Sequence, residues 1–144
     1  MNIRECLARG YLKRFDPDLE LADKEIKEAK YDVEKARKAF DDEDYKWCII
    51  KAYYTMFHAA KAVLFALGYV EKRHIAILVV LEELEKEGRL SSESVTDFKA
   101  AMTSREDADY HYSYSREIAE HELQAAINFL DEMERFMLKK NTGK

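Results

Sequence analysis

The segment Ser104-Arg-Glu-Asp-Ala-Asp-Tyr-His-Tyr112 brings together residue types that could act on a phosphate ester. Arg105 stays charged at any physiological pH, and its planar fork matches a phosphate group. His111 can accept or deliver a proton near neutrality. An arginine to stabilise the phosphorane and a histidine to move the proton are a minimal metal-free toolkit for cutting RNA. The base would activate the ribose 2′-hydroxyl for in-line attack on the adjacent phosphorus. Arg105 also stands where an apolar residue is expected. The stripe Val95, Phe98, Met102 runs onto it in steps of three and four. A cation so placed needs a carboxylate partner, or it receives an anion.

Helical geometry separates the two residues. Each residue advances about 100°, so His111 falls about 120° away from Arg105 around a regular helix. Asp109 at i+4 and Tyr112 at i+7 share the arginine's face instead. Spacing alone therefore favours a structural Arg105–Asp109 ion pair, with His111 facing solvent. A catalytic Arg–His pair needs a helix break within Asp109–Ser113, or a second subunit that supplies one partner.

Other chemistries find little support. The chain has no glycine-rich phosphate loop, GxSxG elbow or HExxH string. Glu71-Lys-Arg-His74 is a single Glu-x-x-His, where a di-iron bundle needs two on facing helices. Cys6 and Cys48 form no CxxC or Cys/His zinc spacing and are expected as free thiols in a reducing cytoplasm. Neither metal nor cofactor is expected. His58, within an aromatic-rich helix, reads as a buried histidine bonded to a neighbour. His74 opens a helix, as a cap or an exposed polar group.

The elements that must position these residues read as helices from end to end. A short helix is expected over 2–14, weakened by Gly10. Asp16-Pro17 predicts an N-cap and a first-turn proline for a second helix reaching Phe40. Its stripe Ala22, Ile26, Ala29, Val33, Ala36, Phe40 is a heptad seam. Acidic residues 41–44 then break the pattern. The third helix, about 44–67, is apolar on almost every face and so is central in its domain or shared between subunits. A fourth helix runs from His74 to Glu87, and a fifth from a Ser91 or Ser92 cap toward Ala108. Tyr110–Ser115 is a poor helix stretch. A last helix, about 115–140, carries the seam Ala119, Leu123, Ala126, Leu130, Met133, Met137. The expectation is an all-α, up-and-down bundle of five to six helices in one domain, residues 1–144.

Charge narrows the partners. The net charge of −5 gives no general attraction to nucleic acid, so any RNA contact must be local. The sign alternates along the chain: residues 1–15 carry four basic and one acidic side chain, residues 16–45 twelve acidic and six basic, and residues 46–74 five basic and one acidic. Lys51 and Lys61 interrupt the longest apolar stretches, so no membrane span is expected. The N-terminal residues Met1-Asn-Ile-Arg-Glu-Cys6 lack the apolar core of a signal peptide, and the expected location is cytoplasmic.

The third helix, Lys51-Ala-Tyr-Tyr-Thr-Met-Phe-His-Ala-Ala-Lys-Ala62, resembles the aromatic-rich helix of HEPN domains (higher eukaryotes and prokaryotes nucleotide-binding). Arg105-Glu-Asp-Ala-Asp-Tyr110 is similar to a second landmark of one branch of that family, Arg-x-x-Ala-Asp-Tyr. Lys72-Arg-His74 and the final-helix residues Ala119, Ala126 and Phe129 fit as well, so the resemblance covers about residues 20–138. It implies a helical bundle that forms a two-fold homodimer. It also implies a metal-independent RNase motif, Arg-x(4–6)-His, onto which Arg105 and His111 map, with two copies facing each other across the dimer. A further implication is a toxin encoded beside a minimal nucleotidyltransferase antitoxin, with Tyr110 or Tyr112 as the tyrosine it modifies. RNA or nucleotide contacts would fall on Arg105, Glu106, Asp109, Tyr110 and Tyr112. The alternative is a non-catalytic module that binds a nucleotide or docks a nucleotidyltransferase.

Overall fold

The computed structural model describes residues 1–142, with side chains through residue 139. Six helices dominate: α1 (Ile3–Ala8), α2 (Leu19–Asp41), α3 (Tyr45–Leu67), α4 (His74–Lys86), α5 (Ser92–Tyr110) and α6 (Arg116–Thr142). The expected helical bundle is present. It also contains a small antiparallel pair, β1 (Leu12–Arg14) with β2 (Tyr69–Glu71), in the register Leu12↔Glu71, Lys13↔Val70, Arg14↔Tyr69.

That pair corrects the expected helix over 2–14. A capping box starts α1: the Asn2 side chain accepts from the Glu5 N–H at 2.8 Å, and the Glu5 carboxylate accepts from the Asn2 N–H at 3.1 Å. Gly10 ends the turn at φ 76°, a left-handed position that glycine takes at no steric cost. Beyond it, residues 12–14 pair with β2, and Leu12 buries to 1% exposure. Burial and long-range pairing outweigh local helix propensity here.

The start of α2 is corrected too. Asp18, not Asp16, caps the helix, its carboxylate accepting from the Leu21 N–H at 3.0 Å. Residues 15–18 are held against the end of α3. Phe15 N–H donates to the Gly68 carbonyl at 2.7 Å, and Asp18 N–H to the Phe65 carbonyl at 2.9 Å. The helix cannot begin until those bonds release the chain. The sheet and these bonds thus tie the entry of α2 to the exit of α3.

Other punctuation follows the sequence. Asp44 caps α3 through the Trp47 N–H, Gly68 stops it at φ 89°, and Ser91 caps α5 through the Ser94 N–H. Ser115 caps α6 through the Ile118 N–H. The α5 helix runs two residues past its expected end, to Tyr110.

The core forms around α3, which packs on α2, α4, α5 and α6. Ala52, Ala59, Ala60, Ala62 and Ala66 are fully buried, so neighbouring backbones approach closely on several sides. The α2 seam buries Ala22, Ile26, Ala29, Val33 and Ala36, and the α6 seam buries Ala119, Ala126, Leu130, Met133 and Met137. Phe98 of α5 stacks on Phe129 of α6, with centroids 5.7 Å apart, and locks these two helices under α3. Among the described residues, no helix is long and apolar enough to cross a membrane.

Candidate functional site

Arg105 lies on the inner face of α5, where its stripe put it. Its side chain is one-quarter exposed. Nε stands 3.3 Å from Asp109 Oδ2, one helical turn on. The distance is that of an ion pair. Nε–H is nevertheless not directed into the carboxylate, and Nε is buried without a hydrogen-bond partner. The contact is therefore electrostatic rather than a formed hydrogen bond, which leaves donor capacity unused at a charged group.

Aromatic faces surround the guanidinium. Its central carbon lies 5.8 Å from the ring centroid of Tyr53, 5.9 Å from Tyr54 and 5.9 Å from Tyr110. Tyr53 and Tyr54 come from α3, so they are absent from any reading confined to α5. Tyr53 is buried, and desolvation pushes its hydroxyl pKa up to about 12 against the opposing pull of Arg105. It stays protonated, and its oxygen meets His74 Nδ1 at 3.3 Å. The His74 ring sits 4.9 Å from Phe57. Tyr53, His74, Lys99, Arg105 and Glu106 line one cleft of about 330 Å³ among α3, α4 and α5.

His111 goes elsewhere. It is the residue after α5, largely exposed, and its Nδ1 pairs with Asp107 Oδ1 at 3.0 Å. Ser113 N–H donates to the Asp107 carbonyl at 3.0 Å and closes the last turn. Tyr112 pays for this reversal with a left-handed φ of 56°, a position costing a non-glycine residue about 1 kcal/mol. The break within Asp109–Ser113 therefore exists, but it does not bring His111 to Arg105 within one chain. Tyr110 and Tyr112 are exposed, with Tyr114 beside them at 44%.

Of the expected site residues, Arg105, Asp109 and Tyr110 are brought together, and Glu106 lines the adjoining cleft. His111 and Tyr112 stand on the outer surface. His74 and Tyr53 were not among the expected site residues. The one sequence signal for them was the aromatic run on the third helix followed by a helix opening on histidine.

His58 is bonded to a neighbour as expected but is only partly buried: Nδ1 lies 2.7 Å from Glu25 Oε1, in a pair between α2 and α3. Both cysteines are buried and free. Among the described residues no cluster of metal-ligating side chains occurs.

Behind the site, Glu122 of α6 is buried at 3% exposure. Its Oε2 accepts from the Ser104 hydroxyl at 3.2 Å, and its Oε1 has no partner. Burial raises its pKa, partly offset by His121 and by the Ser104 bond. A carboxyl whose pKa rises on folding binds protons more tightly in the native state. The stability it contributes is present below the unfolded pKa and is lost as pH rises through the folded one. Glu122→Gln is thus expected to melt at a higher temperature than the native chain at neutral pH. The two should converge near about pH 4, where the unfolded carboxyl also takes up its proton. Thermal unfolding at both pH values checks this; a lower melting point for the variant at neutral pH would contradict it.

Comparison with known proteins identifies the family. The profile of the HEPN domain matches residues 22–137. The chain belongs to the HEPN family. A UPF0332 protein of Archaeoglobus fulgidus is 34% identical over 114 residues, covering 79% of this chain and 87% of the relative. A Methanocaldococcus jannaschii protein described as a putative toxin is 28% identical over 131 residues, covering 89% of this chain and 87% of the relative. The HEPN match takes in α3, α4, α5 and nearly all of α6, hence every residue of the Arg105 cleft. The α1 helix and β1 lie outside it.

Proposed function

We propose that this HEPN protein is of toxin type and binds an RNA phosphate at Arg105, as a homodimer. The observation that carries this is the state of the guanidinium: partly buried, faced by three tyrosine rings, and balanced by one carboxylate that leaves its Nε–H unsatisfied. An incoming phosphate can take the place of Asp109 and complete those hydrogen bonds. Exposed Tyr110, Tyr112 and Tyr114 offer flat faces on which unpaired bases stack. The M. jannaschii relative's description supports the toxin assignment. A minimal nucleotidyltransferase is the antitoxin this reading calls for. Metal-independent cleavage by the expected Arg105–His111 pair requires His111 to come from the second copy.

Two measurements test the proposal. Arg105→Ala is expected to weaken binding of a short single-stranded RNA about 10-fold to 100-fold, the worth of a charge-assisted hydrogen bond, and to flatten its salt dependence. Expression of the native chain is expected to arrest growth, and of Arg105→Ala not to. Undiminished RNA binding by the variant would sink the proposal.

A second reading is a non-catalytic module that holds a nucleotide or docks a nucleotidyltransferase. The placement of His111 on Asp107, away from Arg105, favours it. Calorimetry separates the two: ATP binding without RNA binding supports the second.

A further inference from the structure

We infer that His74, not His111, is the histidine that acts on a phosphodiester held at Arg105. This rests on the reading that Arg105 binds an RNA phosphate, and it goes beyond it by naming the proton-transfer group and placing it in the same chain.

The two histidines differ in where they stand. His74 lines the cleft that Arg105 and Lys99 also line, whereas His111 lies outside it on Asp107. One residue links His74 to Arg105. The Tyr53 ring faces the guanidinium at 5.8 Å, while its hydroxyl meets His74 Nδ1 at 3.3 Å. Tyr53 is buried and braced by Phe57 and Phe98, with centroids 6.0 and 6.3 Å away, so both ends of the link are fixed. Tyr53 is the one polar partner of His74 among the described residues, which leaves Nε2 unengaged. Two cations flank the position. Lys99 is held by Glu82 at 3.1 Å and Arg105 by Asp109, both at partly exposed sites where a phosphate can displace the carboxylate. Glu106 also lines the cleft and opposes anion entry, and the two cations outnumber it.

The chemistry follows from this placement. With Nδ1–H donating to the Tyr53 oxygen, the lone pair lies on Nε2. Nε2 takes the proton of a ribose 2′-hydroxyl. The 2′-oxygen bonds to the adjacent phosphorus, and the bond from phosphorus to the 5′-oxygen breaks. The departing oxygen takes a proton from water and the imidazolium returns one to solvent. The products are a 2′,3′-cyclic phosphate and a 5′-hydroxyl, with no metal and no net consumption of water. Arg105 and Lys99 neutralise the non-bridging oxygens. Tyr53 is a positioning residue, because it acts through His74.

The experiment measures cleavage of a short mixed-sequence RNA in EDTA, and binding of its all-2′-deoxy analogue, which cannot be cut by this route. His74→Gln is expected to lower the cleavage rate by about 100-fold or more while binding stays within about threefold. His111→Ala is expected to cut like the native protein. Tyr53→Phe keeps the ring against Arg105 and loses the hydroxyl; a lower kcat with unchanged KM is expected. His74 is exposed at the first turn of α4, so its replacement leaves the core intact, and an unchanged melting point confirms folding. Native-rate cutting by His74→Gln overturns the inference, as does absence of cutting by the native protein. Loss in His111→Ala with retention in His74→Gln overturns it in favour of the cross-dimer pair. Undiminished analogue binding by Arg105→Ala is a different result: it removes the underlying phosphate-binding reading.

Discussion

Gly68→Ala is expected to destabilise the fold by about 3 kcal/mol or more, combining left-handed strain of about 1–2 with overpacking of about 1–3. Gly68 adopts φ 89° at the end of α3, and a Cβ added there would collide with the carbonyl oxygen of Phe15 and touch Pro17. Neither neighbour can retreat, because Phe15 N–H is bonded to the Gly68 carbonyl and Asp18 N–H to Phe65. At this chain length the shift in melting temperature is about 10 °C. Gly10 and Gly88 are built-in controls. Both have positive φ, and an added Cβ at either meets nothing within 4 Å. Their alanine variants should cost only the backbone strain, about 1–2 kcal/mol. Urea unfolding of the three variants decides the matter, and equal losses at all three positions would refute the claim of a close approach at Gly68.

Phe98→Ala is expected to cost about 3–5 kcal/mol, from lost transfer energy and the cavity left behind. The side chain is 1% exposed and contacts the rings of Phe129 and Tyr53. That loss is a large share of the roughly 5–15 kcal/mol by which a domain is stable. The consequence reaches the site, because Phe98 braces Tyr53 and Tyr53 faces both Arg105 and His74. Phe98→Leu, which fills most of the space, should lose far less stability. A destabilisation of Phe98→Ala below about 1 kcal/mol would show that the α5–α6 contact is looser than the stacked rings suggest.

How far these features were legible in the sequence depended on the range of the interaction. The seams of α2 and α6 and the all-round apolarity of α3 are periodic and local, and they specified the bundle. Arg105 on the Val95–Phe98–Met102 stripe correctly marked a charge turned inward, and i,i+4 spacing supplied Asp109. Three-residue strands carry no comparable signal. Leu12 of β1 and its partner Glu71 of β2 are 59 positions apart in the chain, and their register depends on where α2 and α3 end. Asp16-Pro17 misled for a related reason, since a local N-cap signal was overridden by bonds to the last turn of α3. The cleft escaped because Tyr53 and His74 come to it from other helices. The motif spacing drew attention to His111, whose sequence proximity did not become spatial proximity.

The tie between β1 and β2 bears on how two copies of this chain could associate. The α2–α3 hairpin bends at residues 42–44, where Glu43 is left-handed at φ 61°, and such a turn could straighten into a hinge for exchanging α2 between protomers. Here the far ends of the same hairpin are joined by the sheet and by the Phe15–Gly68 and Asp18–Phe65 bonds. Straightening the hinge would break that closure as well, so segment exchange must overcome two separate anchors. The architecture thereby steers self-association away from swapped, entangled dimers and toward docking of preformed surfaces.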